Sequence, residues 1–120
     1  ISSTFFNGYD FGTEEESGLV YYPDVEADFP GGARELQIYI NQNIRYPLKA
    51  IKKNIGGRVF LSFVVEPDGS ISNIKYEKGH RVFKSESIRV IKNMPIWSPG
   101  ELQKVKVRTR CRLPIVYTLN

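Results

Sequence analysis

The sequence predicts a small α+β sandwich, with helices packed on one face of a mostly antiparallel sheet of three to four strands. Three observations predict it. Two apolar-rich segments flank a Pro67-Asp68-Gly69 turn as the strands of a hairpin, and a third segment alternates from Lys104 to Leu113. Three other segments space their apolar residues for one face of a helix. The order along the chain is helix, helix, strand, strand, helix, strand, which is that of helices packed on one face of a mostly antiparallel sheet.

At 120 residues, with 41% hydrophobic and 25% charged residues, the chain reads as one globular domain. Charge divides it in two. Residues 1–28 carry seven acids and no Lys or Arg, whereas residues 29–120 carry six acids and all 17 bases. We therefore read 1–28 as an acidic arm and 29–120 as the domain body. The arm has Gly8, Gly12 and Gly18 and no helical period, but Phe5, Phe6, Tyr9 and Phe11 are too many aromatics for a purely solvated tail. Part of it is expected to dock, with one short strand at "GLVYYP". Seven arm acids facing a basic body further suggest a lid over that basic face.

After Pro30-Gly31-Gly32, the spacing of Leu36, Ile40 and Ile44, with Tyr39 beside them, predicts a first helix. "YPLKAIKKNIGG" predicts a second, short one. Pro47 suits its first position, Ala50 and Ile51 face inward, Lys52 and Lys53 suit the last turn, and Gly56 or Gly57 ends it. In the hairpin that follows, Val59, Leu61, Phe63 and Val65 share one face, with Phe60, Ser62 and Val64 on the other. Its return strand carries Ile71, Ile74 and Tyr76. Phe83, Ser87, Val90, Ile91 and Met94 line a third helix that Pro95 stops. "IWSPGELQ" reads as a loop anchored by Trp97, with Pro99-Gly100 turning the chain into the final strand.

Enzyme chemistry lacks its parts. His80 stands alone in a polar loop, no serine sits in a nucleophile elbow, and Cys111 falls on the apolar phase of its strand, where an inert buried thiol is expected. One cysteine allows no internal disulfide. Glu14–Glu16 is a charge run rather than a ligand set, and the Gly pairs lack a phosphate loop's following Lys. We expect no enzyme, no metal and no cofactor. No apolar run reaches the roughly 18–20 residues of a membrane span.

The final strand poses the sharper question. Lys104, Lys106, Arg108, Arg110 and Arg112 alternate with Val105, Val107, Thr109, Cys111 and Leu113. A nucleic-acid platform would interleave aromatics, and none lies among these cations, so nucleic acid is the weaker reading. The plain alternative is a solvent-facing sheet surface. A third reading is an edge strand whose backbone accepts an extended peptide, with the cations favouring an acidic guest. The same edge pairing with a second copy of the chain would make a homodimer.

Taken in order, Phe29-Pro30-Gly31-Gly32, Tyr46-Pro47, Gly57-x-Val59, Asp68-Gly69, Met94-Pro95-x-Trp97-x-Pro99-Gly100 and Leu113-Pro114 resemble the C-terminal periplasmic domain of TonB-family energy transducers. The likeness runs from about residue 28 to 120. Two positions depart from the family: Gln103-Lys104-Val105 stands where Gly-Lys is frequent before the last strand, and Ser87 where alanine is usual.

The resemblance implies a periplasmic binding domain, anchored in the inner membrane by an amino-terminal helix outside these residues. Its partners would be a motor of the ExbB–ExbD type and the TonB-box peptide of an outer-membrane transporter, captured by strand addition and pulled. Similar domains also occur on membrane-bound signalling peptidases and other envelope proteins. The expected peptide site is Asn43, Arg45, Tyr46 and Pro47 flanking Val105, Lys106, Val107, Arg108, Thr109, Arg110 and Arg112.

Overall fold

A computed structural model describes residues 17–119; most of the arm, with Phe5 to Phe11 and Glu14–Glu16, lies outside them. The elements are β1 (Leu19–Val20), α1 (Ala33–Asn43), α2 (Leu48–Lys52), β2 (Gly57–Val65), β3 (Ile71–Lys78), α3 (Lys84–Lys92, entered through a 3₁₀ turn at Arg81–Phe83), β4 (Gly100–Leu102) and β5 (Val105–Tyr117). The sheet order is β1-β5-β2-β3, with β4 paired to β5. Five strands thus stand where three to four are expected, and β1 against β5 is the one parallel pair among them.

The hairpin follows the predicted alternation. Val59, Leu61, Phe63 and Val65 are buried beneath the helices. Ile71, Ile74 and Tyr76 do not keep period two, yet all three pack against that core. The register explains this: Val64 pairs with Ser72 but Ser62 with Lys75, so β3 carries an extra residue at a bulge. Asn73 sits there with φ 49°, a conformation asparagine tolerates better than most residues.

Ile40, Ala50, Phe83, Val90 and Ile91 close the core from the helical side. Ile51 does not join them. It is 47% exposed on the single turn of α2, and Ile55 packs inward instead. Trp97 is buried edge-on between Phe29, at 5.8 Å, and Phe63, at 5.3 Å. Its backbone N–H donates to the carbonyl of Gly69 at 2.9 Å, which ties the hairpin turn to the segment after α3. Gly69 has φ 87°, and a Cβ there would lie 2.2 Å from the Trp97 carbonyl oxygen, so only glycine fits.

The predicted loop before the last strand contains β4, which forms a hairpin with β5. The turn is made by Gln103 and Lys104, at φ 51° and 67°, rather than by Pro99-Gly100. Lys104 therefore belongs to the turn and not to the cationic row.

Candidate functional site

β5 is an interior strand along part of its length. Its carboxyl-terminal nine residues, Thr109 to Tyr117, pair without interruption to β2. Its opening residues, Val105 to Val107, pair with β4. On the side away from β2, Leu19 and Val20 pair with Arg108 and Thr109. From Arg110 to Tyr117 that second side carries no strand among the described residues. Among the described residues, the stretch of β5 left unpaired on that side is therefore Arg110–Tyr117. Of the predicted stretch Val105–Arg112, all but Arg110, Cys111 and Arg112 is already engaged by β4 or β1.

Pro114 is consistent with an open edge. It has no N–H to donate, yet the pairing of Phe60 with Pro114 continues the ladder without a register shift. Proline is tolerated in a sheet where its missing donor faces away from a partner strand.

The cationic row divides in the same place. Arg108 donates to both carboxylate oxygens of Glu66, at 2.9 and 3.2 Å, and to the carbonyl of Ser17 at 2.7 Å. The Arg108 hydrogen bond holds the Glu66 carboxyl below the usual range against the opposing effect of burial. Arg110 donates to Ser62 Oγ at 3.1 Å, lies 3.8 Å from Glu77, and sits over the Tyr21 ring. Ser62 donates in turn to Glu77 at 2.6 Å. These side chains cover Ser62 and Val64, which are fully buried on the face away from the helices. Lys106 and Arg112 are exposed.

Of the seven acids that the lid expectation uses, Asp10 and Glu14–Glu16 lie outside the described residues. Asp24 accepts the backbone N–H of Gln103 at 2.7 Å, and Val25 and Asp28 form bridges to Glu101 and Ser98. Cys111 is largely buried; burial first, and Glu26 second, push its thiol up to about 11, as an inert cysteine requires.

Asn43, Arg45, Tyr46 and Pro47 gather at the far end of β5. Tyr46 donates to the Ile55 carbonyl at 2.6 Å and meets Phe83 and Tyr117 edge-on at 5.8 and 5.6 Å. Asn43 Nδ2 donates to the Tyr39 carbonyl, and its own carbonyl accepts from Arg89, each at 2.8 Å. Arg45 N–H donates to Glu86 at 2.6 Å, and Pro47 begins α2 with φ −59°. Val105 and Tyr117 are separated by roughly 40 Å of strand, at about 3.3 Å per residue. The fold thus places the two predicted groups at opposite ends of β5, with the open backbone running between them. Nothing in the alternation of the sequence marks Leu113–Tyr117 as an edge. Pro114 is the residue that could have revealed it.

His80 also has a structural place. Its Nδ1 accepts the N–H of Val82 at 3.0 Å and caps the 3₁₀ turn. Among the described residues no group of three or more His, Cys, Asp or Glu could hold a metal ion.

Known proteins match this architecture. The family model described as Gram-negative bacterial TonB protein C-terminal matches residues 42–119. Protein TonB from two Helicobacter pylori strains, 26695 and J99, is 29% identical over 101 residues, covering 82% of this chain. The chain spans about a third of the length of those relatives, 33% and 34%. Two solution structures of the Helicobacter pylori TonB C-terminal domain are each 27% identical to it. The shorter has a TM-score of 0.55 and covers 71% of this chain and 90% of its own; the longer has 0.56, with 76% and 87%. The chain is a member of the TonB C-terminal domain family.

Proposed function

We propose that this domain is the periplasmic end of a TonB-type energy transducer and that it takes a short extended peptide, the TonB box of an outer-membrane transporter, as an added strand on β5. The observation that carries the reading is the edge of β5 from Arg110 to Tyr117, unpaired among the described residues, on the same side where β1 already lies as a strand. A peptide laid there gains main-chain hydrogen bonds in line with the existing sheet. Arg112, exposed beside that edge, favours an acidic residue in the guest, and Tyr46 marks the far end of the track through its contact with Tyr117.

In the full-length protein, an anchoring helix in the inner membrane would couple the domain to an ExbB–ExbD-type motor. Proton-motive force would reach the transporter as a pull on the added strand, so the domain works by binding and not by catalysis. Main-chain pairing suits such a task, because a strand pulled along its length loads many hydrogen bonds together.

The test is a fluorescence-anisotropy titration of labelled amino-terminal transporter peptides into the domain, at low and moderate salt. Saturable binding that survives moderate salt supports the reading. Binding that is sequence-indifferent and collapses with salt points instead to a polyanion surface, and no saturable binding overturns the reading.

A further inference from the structure

Between the docked arm and β5 lies a cleft of about 280 Å³, bordered by four consecutive residues of each segment, Glu26–Phe29 and Arg110–Leu113. Consecutive residues of a strand point to opposite faces, so a cleft touching all four runs along the strand's edge. β2 is bonded to the opposite edge at these same four residues. The cleft therefore opens on the edge that the guest would use.

We propose that this cleft is the side-chain pocket that selects the guest, and that it takes a single bulky apolar side chain, leucine-sized or larger. The inference rests on the strand-addition reading and adds its specificity. A guest residue sharing the face of Cys111 and Leu113 enters the cleft, where Phe29, Leu36 and Trp97 form apolar walls. The volume falls below the roughly 300 Å³ at which small-molecule pockets begin, which suits one side chain better than a separate ligand.

Ala33 borders the cleft from the exposed start of α1, so Ala33→Leu narrows the pocket without touching the sheet. The probes are nine-residue peptides of alternating valine and threonine whose central residue is Ala, Leu, Trp or Asp. They are titrated by anisotropy into the 120-residue chain and its A33L variant. The Leu and Trp probes should bind about tenfold tighter than the Ala probe, as expected for burying most of one large apolar side chain. A33L should erase that difference. Equal affinities for the Leu and Ala probes, preference for the Asp probe, or a Leu advantage that persists in A33L would each overturn the pocket while strand addition stands. Failure of every probe to bind would instead remove strand addition itself.

Discussion

Ser87 on α3 and Tyr117 at the end of β5 share a buried hydrogen bond, oxygen to oxygen 2.8 Å, that fastens the helical layer to the last turn of the track. Phe83 stacks on the same tyrosine ring at 4.0 Å. Burial, only partly offset by the Ser87 hydrogen bond, pushes the Tyr117 phenol up to about 12, so it stays neutral across any working pH. Removing one partner strands the other without water. Ser87→Ala should cost about 1–2 kcal/mol in denaturant unfolding, whereas the double variant Ser87→Ala, Tyr117→Phe should recover most of the loss.

The β4–β5 turn stores strain. Gln103 and Lys104 hold positive φ without being glycine, which costs each roughly 1 kcal/mol relative to a residue suited to that region. Replacing the pair with Asn-Gly should raise stability by about 1 kcal/mol in urea unfolding. The Asp24 hydrogen bond to the backbone at position 103 is kept in that variant, since it does not use the replaced side chains.

Acid should loosen the face of the sheet away from the helices. Glu66 has its carboxyl held below the ordinary 4.5, chiefly by the Arg108 hydrogen bond. A carboxyl depressed in the folded state contributes stability that is present above its unfolded value and is lost as pH falls through the folded one. Stability measured by urea titration should therefore decline as pH drops below about 4.5. The decline should be shallower in Glu66→Gln, which begins less stable at neutral pH. An identical slope in the two proteins would count against this assignment.

β1 occupies two rungs of the guest's side of β5. Deleting residues 1–20 should lengthen the open edge to include Arg108 and Thr109. Peptide affinity should then rise by about 1 kcal/mol, the net value of one or two added main-chain hydrogen bonds. Calorimetric titration of the full and shortened chains with one transporter peptide checks it, and unchanged affinity would mean the guest never reaches those rungs.

What the sequence revealed and what it hid divide along physical lines. Strong local periods were legible: the core faces of α1, α3 and β2 follow from Leu36-Ile40, Phe83-Ser87-Val90-Ile91 and Val59-Leu61-Phe63-Val65. β4 was hidden because three residues show no period, and its turn uses Gln-Lys where a hairpin normally advertises Asn-Gly. Ile51 misled because a single helical turn cannot bury every apolar residue it carries. The site was only half visible. Alternation in "KVKVRTRC" marked the strand, but which side of it remains open depends on β1 and β2, partners far away in sequence. The cleft against Phe29 and Leu36 is likewise a product of the arm's docking and not of any motif.

The most direct test is amide hydrogen exchange by NMR on the isotope-labelled domain, with and without a transporter's amino-terminal peptide. The account predicts new protection confined to alternate amides between Arg110 and Tyr117, with none at Pro114, which has no amide hydrogen, and with β3 unchanged. Protection appearing along β3, or exchange on β5 unaltered at saturating peptide, would contradict it.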